Sequence, residues 1–315
     1  MAITKFLKLV EIQTKAASMI PFLLGTVYAL FRFHEFHAGH FALMLISLLS
    51  FDMATTAINN YYDYKKATKK HGYGYEHHNA IVKYHMNPAA VLGIIITLLL
   101  IAILAGILLF LQTGLLILLL GGLSFAVGIL YSFGPIPISR MPLGEIFSGL
   151  FMGFVIIFIS TYIHVGEKLA ALTLNGETIV LQVQFVEVLL VFLISIPAIL
   201  GIANIMLANN ICDMEDDIEN KRYTLPVYIG KAPALMLFKI MYYAAYADLI
   251  VLGMMRVNPL ILVLVLVTVI PVGKNIKRFA AQPTKQHTFG LAVQNFMLTN
   301  VSRIAALSIA AWMTF

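Results

Sequence analysis

Two stretches of this chain carry the residue types needed to hold a metal ion and a phosphorylated ligand. In the first, Asp52, Thr56, Asn59 and Asp63 recur every three or four residues. On a helix of about 3.6 residues per turn they form one polar stripe. In the second, Asn209-Asn210-Ile211-Cys212-Asp213-Met214-Glu215-Asp216-Asp217, the residues Asn209, Asp213 and Asp217 stand at i, i+4 and i+8 and share a face. The crowded carboxylates there repel one another unless a cation compensates them. Carboxylate and amide oxygens are hard ligands and suit Mg2+, which commonly takes one or two carboxylates and completes its shell with water and phosphate oxygens. Asn-Asn-x-x-Asp occurs in both stretches, at Asn59–Asp63 and Asn209–Asp213. Basic residues follow each: Lys65, Lys66, Lys69 and Lys70 after the first, Lys221 and Arg222 after the second. Carboxylates, Mg2+ and Lys or Arg together suit a diphosphate. Two such sites facing each other would make a two-sided metal cage.

The elements that position these residues are transmembrane helices. The chain is 60% hydrophobic and only 11% charged, where a soluble domain carries about 25% charged residues. Apolar runs of about 20 residues recur, each long enough to cross a hydrocarbon core of about 30 Å. The runs are continuous rather than alternating, which excludes a barrel. Nine spans are expected: Ala16–Phe33, Phe41–Tyr62, Pro88–Leu111, Thr113–Tyr131, Pro142–His164, Val186–Ala208, Ala234–Met255, Pro259–Val272 and Gln294–Thr314. The third and fourth meet in a tight hairpin at Gln112 and Gly114. No polar stretch is long enough to bury its own core, so residues 1–315 are expected to form a single transmembrane domain. Met1 to Lys15 shows no cleavable signal pattern, and the single cysteine, Cys212, excludes an internal disulfide framework.

Most of the 21 Lys and Arg fall in alternate loops. That bias puts the N-terminus, and the loops after the second, fourth, sixth and eighth helices, in the cytoplasm of a cell-membrane protein. The net charge of +6 is explained by anionic lipid headgroups, and no nucleic-acid partner is expected. Polar groups inside a membrane are candidate site residues. Thr55 and Thr56 suit an interhelical hydrogen-bond seam, whereas Asn59 and Asp63, near a helix end, suit function.

These residues resemble the UbiA superfamily of intramembrane prenyltransferases. Its signature is a pair of Asn-x-x-x-Asp-x-x-x-Asp motifs after the second and sixth helices of a nine-helix bundle. Asn209, Asp213 and Asp217 match the second motif fully. The chain is most similar to the branch acting on 1,4-dihydroxy-2-naphthoate. Three segments carry that likeness: Tyr131-Ser132-Phe133-Gly134-Pro135-Ile136-Pro137 with Leu143-Gly144-Glu145; Lys221-Arg222-Tyr223-Thr224-Leu225-Pro226; and Asn59-Asn60-Tyr61-Tyr62-Asp63-Tyr64-Lys65-Lys66 with Ala80-Ile81-Val82. In the first motif Asn60 stands where the family often has Asp, Ala67 holds the third position, Lys69 replaces a later Asp, and Asn79 stands where an Arg often precedes Ala-Ile-Val. Asp63 is left as that motif's firm carboxylate.

The resemblance implies an all-α polytopic bundle with a central cavity. It implies Mg2+-dependent transfer of a polyprenyl group from polyprenyl diphosphate to 1,4-dihydroxy-2-naphthoate, with release of diphosphate and CO2. Asp63, Asp213 and Asp217 would be the catalytic, metal-holding acids, aided by Asn59 and Asn209. Lys221 and Arg222 would meet the diphosphate. Tyr131 and Ser132 would line the pocket beside the acidic position Glu145. Arg140 would bind either the diphosphate or the acceptor carboxylate, with Lys15 a weaker candidate for that role. Two other readings stay open: a different aromatic acceptor such as 4-hydroxybenzoate, and a cation-coupled transporter. The transporter is disfavoured because the acids sit at helix ends, with Asp52 the one strong midplane acid. His71, His77, His78 and His85 fit no firm zinc spacing. Asp248 in the seventh helix suits a packing pair, Arg303 in the ninth a buried acid partner, and the loop Gly166–Val183 gives no functional signal.

Overall fold

The computed structural model describes residues 2–66, 79–132 and 138–314. His71, Tyr73, Tyr75, Glu76, His77, His78, Ala67, Lys69 and Lys70 lie outside the described residues, as does the stretch 133–137. The apolar runs become helices, as they must where no water satisfies the backbone. Eight of these, among the described residues, are long and apolar enough to cross a membrane: α1 Ile12–Phe33, α2 Ala38–Lys65, α3 Pro88–Thr113, α5 Gly144–Lys168, α6 Phe185–Cys212, α7 Lys231–Met254, α8 Pro259–Ala281 and α9 Gly290–Met313. The fourth expected span, α4 Leu115–Tyr131, is shorter, about 25 Å at 1.5 Å per residue. Gly114, at φ 97°, makes the tight join to α3; that left-handed backbone suits glycine.

The eighth helix departs from expectation. It runs past Val272 to Ala281, so Lys274, Lys277 and Arg278 are helical rather than loop residues. The apolar run stops at Val272, but Val272, Ile276 and Phe279 stay buried at helical spacing, and this amphipathic face carries the helix onward. A turn at Thr268 divides it, just before Pro271, where the missing N–H interrupts the ladder. The loop Gly166–Val183 also differs. It folds as an antiparallel hairpin of β1 Ala170–Asn175 and β2 Thr178–Val183, turning at Gly176.

Contacts divide the chain into two units, Met1–Met19 with Gly39–Ile129, and Ile20–Ala38 with Leu130–Phe315. In the first, Leu9, Ala57, Ala80, Ile81, Val91 and Ile95 form a buried cluster. Polar residues stitch it. Asn60 Nδ2 donates to the Leu9 carbonyl at 3.0 Å, and Asn79 Nδ2 to the Asn60 carbonyl at 2.8 Å. Asn79 also caps the short helix Ala80–Lys83. Both Asn replacements of the first motif are therefore structural.

In the second unit α5 and α6 pack with almost no gap. A Cβ on Gly149 would lie 2.7 Å from the Ile199 carbonyl oxygen, and one on Gly153 2.6 Å from Ile199 Cα. Small residues four apart allow this approach, and a π-helical stretch runs over Gly149–Val155. Gly153→Ala is expected to lower stability by about 1–3 kcal/mol, read as a fall in the thermal unfolding midpoint of the detergent-solubilised protein. Leu207, Ile211, Phe238, Tyr242, Val272, Ile276 and Phe279 build the core joining α6, α7 and α8.

Candidate active site

The second acidic motif is built by a helix that pauses without turning. Asp213, at φ −100° and ψ 8°, separates α6 from the short helix Met214–Glu219. The Asp213 N–H still reaches the Asn209 carbonyl at 3.1 Å, and the Asp217 N–H the Asp213 carbonyl at 2.7 Å. The hydrogen-bond ladder crosses the pause, so Asn209, Asp213 and Asp217 keep their common face. Glu215 and Asp216 point outward and are exposed, whereas Asp217 is only 2% exposed.

A tight turn then folds the chain back onto Asp217. The Arg222 N–H donates to the Asp217 carbonyl at 2.8 Å, and Arg222 Nε lies 3.3 Å from Asp217 Oδ1. Thr224 Oγ1 donates to the other carboxylate oxygen at 3.0 Å. Burial pushes the Asp217 carboxyl above its usual range, and Arg222 and the Thr224 hydrogen bond pull it back. Asp213 has a different cation: its Oδ2 is ion-paired to Lys285 and accepts from Asn209 Nδ2 at 3.3 Å. Each acid of the motif thus meets one positive side chain.

Lys221 sits at the turn with φ 54°, a conformation that costs a non-glycine residue about 1–2 kcal/mol. Lys221→Gly removes a cation and relieves that backbone together. The expected result is an unfolding midpoint unchanged or raised, with KM for the diphosphate substrate raised severalfold. An unchanged KM would exclude Lys221 from substrate binding.

Next to the motif lies a second buried group. Asn210 Nδ2 donates to Glu145 Oε1 at 2.8 Å, and both residues are buried. Glu145 Oε2 and Asn210 Oδ1 have no partner among the described residues. Tyr131 sits beside Ser148, Glu145 and Arg222, with its hydroxyl next to Gly144. The second unit therefore gathers Tyr131, Glu145, Asn209, Asp213, Asp217 and Arg222. Arg140 is exposed on the turn Ile138–Arg140, away from any ion pair among the described residues. The helix of α4 continues one residue beyond its apolar stretch, to Ser132.

In the first unit, Asn59 and Asp63 are exposed one turn apart near the end of α2, and Asp63 is engaged by a neighbouring group. Asp52 and Lys15 are used up structurally. Lys15, 3% exposed, donates to Asp52 Oδ1 at 2.6 Å and to Thr56 Oγ1 at 2.7 Å, and Ser18 donates to Asp52 Oδ2 at 2.5 Å. Thr56 belongs to a seam, as expected, and Lys15 is the buried counter-ion of Asp52. The sequence reading missed Asn210, Thr224 and Lys285. Asn210 stood in the repeated Asn-Asn pair and Thr224 beside Arg222, but nothing local pointed to Lys285.

Comparison with known proteins decides the family. The model of the UbiA prenyltransferase family matches residues 18–296. The chain belongs to the UbiA prenyltransferase family. It is 34% identical over 237 residues to the 1,4-dihydroxy-2-naphthoate octaprenyltransferase of Bacillus subtilis (strain 168), covering 74% of this chain and 68% of that protein. Two solved UbiA homologues share the fold. One, from Archaeoglobus fulgidus and bound to GPP and Mg2+, has a TM-score of 0.64 at 15% identity, over 98% of this chain and 99% of that one. The other, an apo structure from Aeropyrum pernix K1, has a TM-score of 0.64 at 19% identity, over 91% and 97%. This UbiA-family chain is therefore a prenyltransferase and an all-α, multi-pass membrane protein.

The motif's donor set fits Mg2+. Among the described residues no three His, Cys, Asp or Glu side chains converge to hold a metal. Two carboxylates and an amide on one face are the donors Mg2+ takes when substrate oxygens and water complete its shell.

Proposed function

We propose that this prenyltransferase moves a polyprenyl group from polyprenyl diphosphate onto the ring of 1,4-dihydroxy-2-naphthoate, in an Mg2+-dependent reaction that releases diphosphate and CO2. The observation that carries this reading is the pairing of each motif acid with a cation, Asp213 with Lys285 and Asp217 with Arg222. Asp213 and Asp217, with Asn209, would hold Mg2+. When bound, the ion supplies Lewis-acid neutralisation of the leaving diphosphate. Lys285 and Arg222, which face those acids, would with Lys221 meet the diphosphate oxygens. Charge that grows on the leaving group then meets donors already in place. Asp63 and Asn59 of the first motif would likewise serve Mg2+ or diphosphate, as the family resemblance implies. Tyr131, Ser132 and Glu145 line the acceptor's side, and Arg140 meets an anionic group of either substrate. The aromatic ring attacks the prenyl carbon as the carbon–oxygen bond to diphosphate breaks, and loss of the ring carboxylate restores aromaticity.

The acceptor assignment rests on the likeness to the Bacillus subtilis enzyme over the greater part of the chain. The family match takes in residues of both units, which supports one transmembrane domain over residues 1–315. The excess of Lys and Arg in alternate loops supports a cell-membrane location with the N-terminus and both motifs on the cytoplasmic side.

Competition between acceptors tests the reading. Purified protein in lipid nanodiscs receives Mg2+, a polyprenyl diphosphate and equal amounts of 1,4-dihydroxy-2-naphthoate and 4-hydroxybenzoate. The expected product by mass spectrometry is the prenylated naphthoquinol. Prenylated hydroxybenzoate alone would overturn the acceptor. No prenylated product with either would overturn the acceptor assignment, checked by offering other phenolic acceptors.

A further inference from the structure

The hairpin β1–β2 is divided by its register into two unlike faces. Ala170 pairs with Val183, Leu172 with Leu181 and Leu174 with Ile179, so one face is wholly apolar. The pairs Ala171 with Gln182 and Thr173 with Val180 belong to the other, where Thr178 also lies and Val180 is the one sizeable apolar residue. Successive strand residues alternate between faces, so this segregation follows from the sequence once the register is set. The apolar face is not packed away: Leu174, Ile179, Leu181 and Val183 are 61%, 70%, 57% and 49% exposed. A two-stranded hairpin is marginal in water unless its apolar face is covered.

The position of the hairpin says what covers it. It joins α5 to α6 with hardly a linker, and its base is closed by the Gln184 N–H donating to the Leu169 carbonyl at 2.9 Å. Lys168 on one side is ion-paired to Glu35 at 2.5 Å, and Glu187 on the other to Arg32 at 2.7 Å. Such charges mark the headgroup level at the ends of two spans. The lipid-facing surface of α6 begins there with Phe185 and Val186, 71% and 62% exposed, separated from the apolar residues of β2 by Gln184 alone. α6 ends at Cys212, inside the acidic motif, so the hairpin stands at the opposite end of that helix from the candidate active site.

We infer that the hairpin is a lipid-docking element. Its Leu172, Leu174, Ile179, Leu181 and Val183 face enters the acyl-chain boundary of the bilayer leaflet at that end, and the Thr173, Thr178 and Gln182 face stays in water. Apolar area buried at an interface is what holds such monotopic elements. The hairpin then fixes the depth of the α5–α6 pair.

Tryptophan fluorescence tests this in the full-length protein. The one native tryptophan, Trp312, is first replaced (Trp312→Phe). Leu181→Trp and, separately, Gln182→Trp are then reconstituted into phosphatidylcholine–phosphatidylglycerol vesicles. The expected result is quenching of Leu181→Trp by lipid brominated near the glycerol end at least twice that of Gln182→Trp, with aqueous iodide giving the opposite order. Ile179→Trp and Thr178→Trp repeat the comparison should either first variant fold poorly. Equal quenching of the two faces, or strong iodide quenching of Leu181→Trp, would overturn the inference. Protection of Leu181→Trp from both quenchers, with a cross-linked dimer, would overturn it in favour of a second copy of the chain.

Discussion

Asp217→Asn is expected to lower turnover about 10²–10³-fold, the loss typical when one group stabilising a transition-state charge is removed. The substitution keeps the size of the side chain and can still accept the Thr224 hydrogen bond, so the fold around the turn should persist. What it removes is the negative charge that faces Arg222 and that, on the proposed reading, would hold Mg2+ when substrate is bound. Asp216→Asn is the internal control: it is the adjacent residue and also an acid, but its side chain is exposed, and it should stay within about twofold of the wild type, the range of an ordinary surface change. Thr224→Val leaves both carboxylates in place but removes the hydroxyl that orients one of them. It should raise the Mg2+ concentration needed for half-maximal activity about 10–100-fold, the usual cost of losing a group that orients a metal ligand. Equal activity of Asp216→Asn and Asp217→Asn would remove Asp217 from the reaction.

The largest effect on stability is expected at Arg303. Its guanidinium donates from Nε to Asp248 Oδ2 and from Nη2 to Asp248 Oδ1, both at 2.6 Å. It also donates to the Thr299 and Ala245 carbonyls at 2.6 and 2.9 Å, and lies 5.1 Å from the centre of the Tyr246 ring. Arg303 and Asp248 are each 1% exposed. The Ala245 carbonyl is available because α7 tightens to a 3-10 turn over Ala245–Ala247, so the arginine fills a gap that the helix itself opens. Arg303→Met strands a buried carboxylate and should cost about 3–5 kcal/mol, whereas Arg303→Met with Asp248→Leu removes both charges and should recover most of it. Thermal unfolding in detergent checks both. A single variant within about 1 kcal/mol of the wild type, or a double variant no better than the single, would show that the pair does not hold α7 to α9.

What was legible in the sequence was whatever lies close along the chain. The apolar runs gave the helices because lipid leaves the backbone no alternative. The spacing of Asn209, Asp213 and Asp217 gave their shared face, since a helix fixes neighbours at i+4. Asp248 was readable as half of a packing pair and Arg303 as the partner of some buried acid, because an unpaired charge inside a membrane is costly; that the two meet each other was not readable. The sequence was silent where distant residues meet. Lys285, 72 positions from Asp213, looked like one more loop cation. Lys15 was legible only as a weaker substrate-binding candidate, and its contact with Asp52, 37 positions away, was not visible. The continuation of α8 to Ala281 was hidden because hydropathy falls where the helix leaves the apolar layer, although its buried face persists. The hairpin was hidden because two strands of six residues carry too little alternation to stand out between long apolar runs. The replacements Asn60 and Asn79 looked like lost acid and lost base at a site, and they proved to be the hydrogen-bonding pins of the first unit.

The most direct test of the account is an Mg2+ titration of diphosphate release by the wild type, Asp213→Asn and Asp217→Asn, with polyprenyl diphosphate and 1,4-dihydroxy-2-naphthoate supplied. The prediction is no release after chelation, saturable recovery of the wild type on adding Mg2+, and no recovery of either variant to wild-type turnover at any Mg2+ concentration. Full activity of the chelated wild type, or wild-type turnover of both variants at the same Mg2+ concentration, would contradict it.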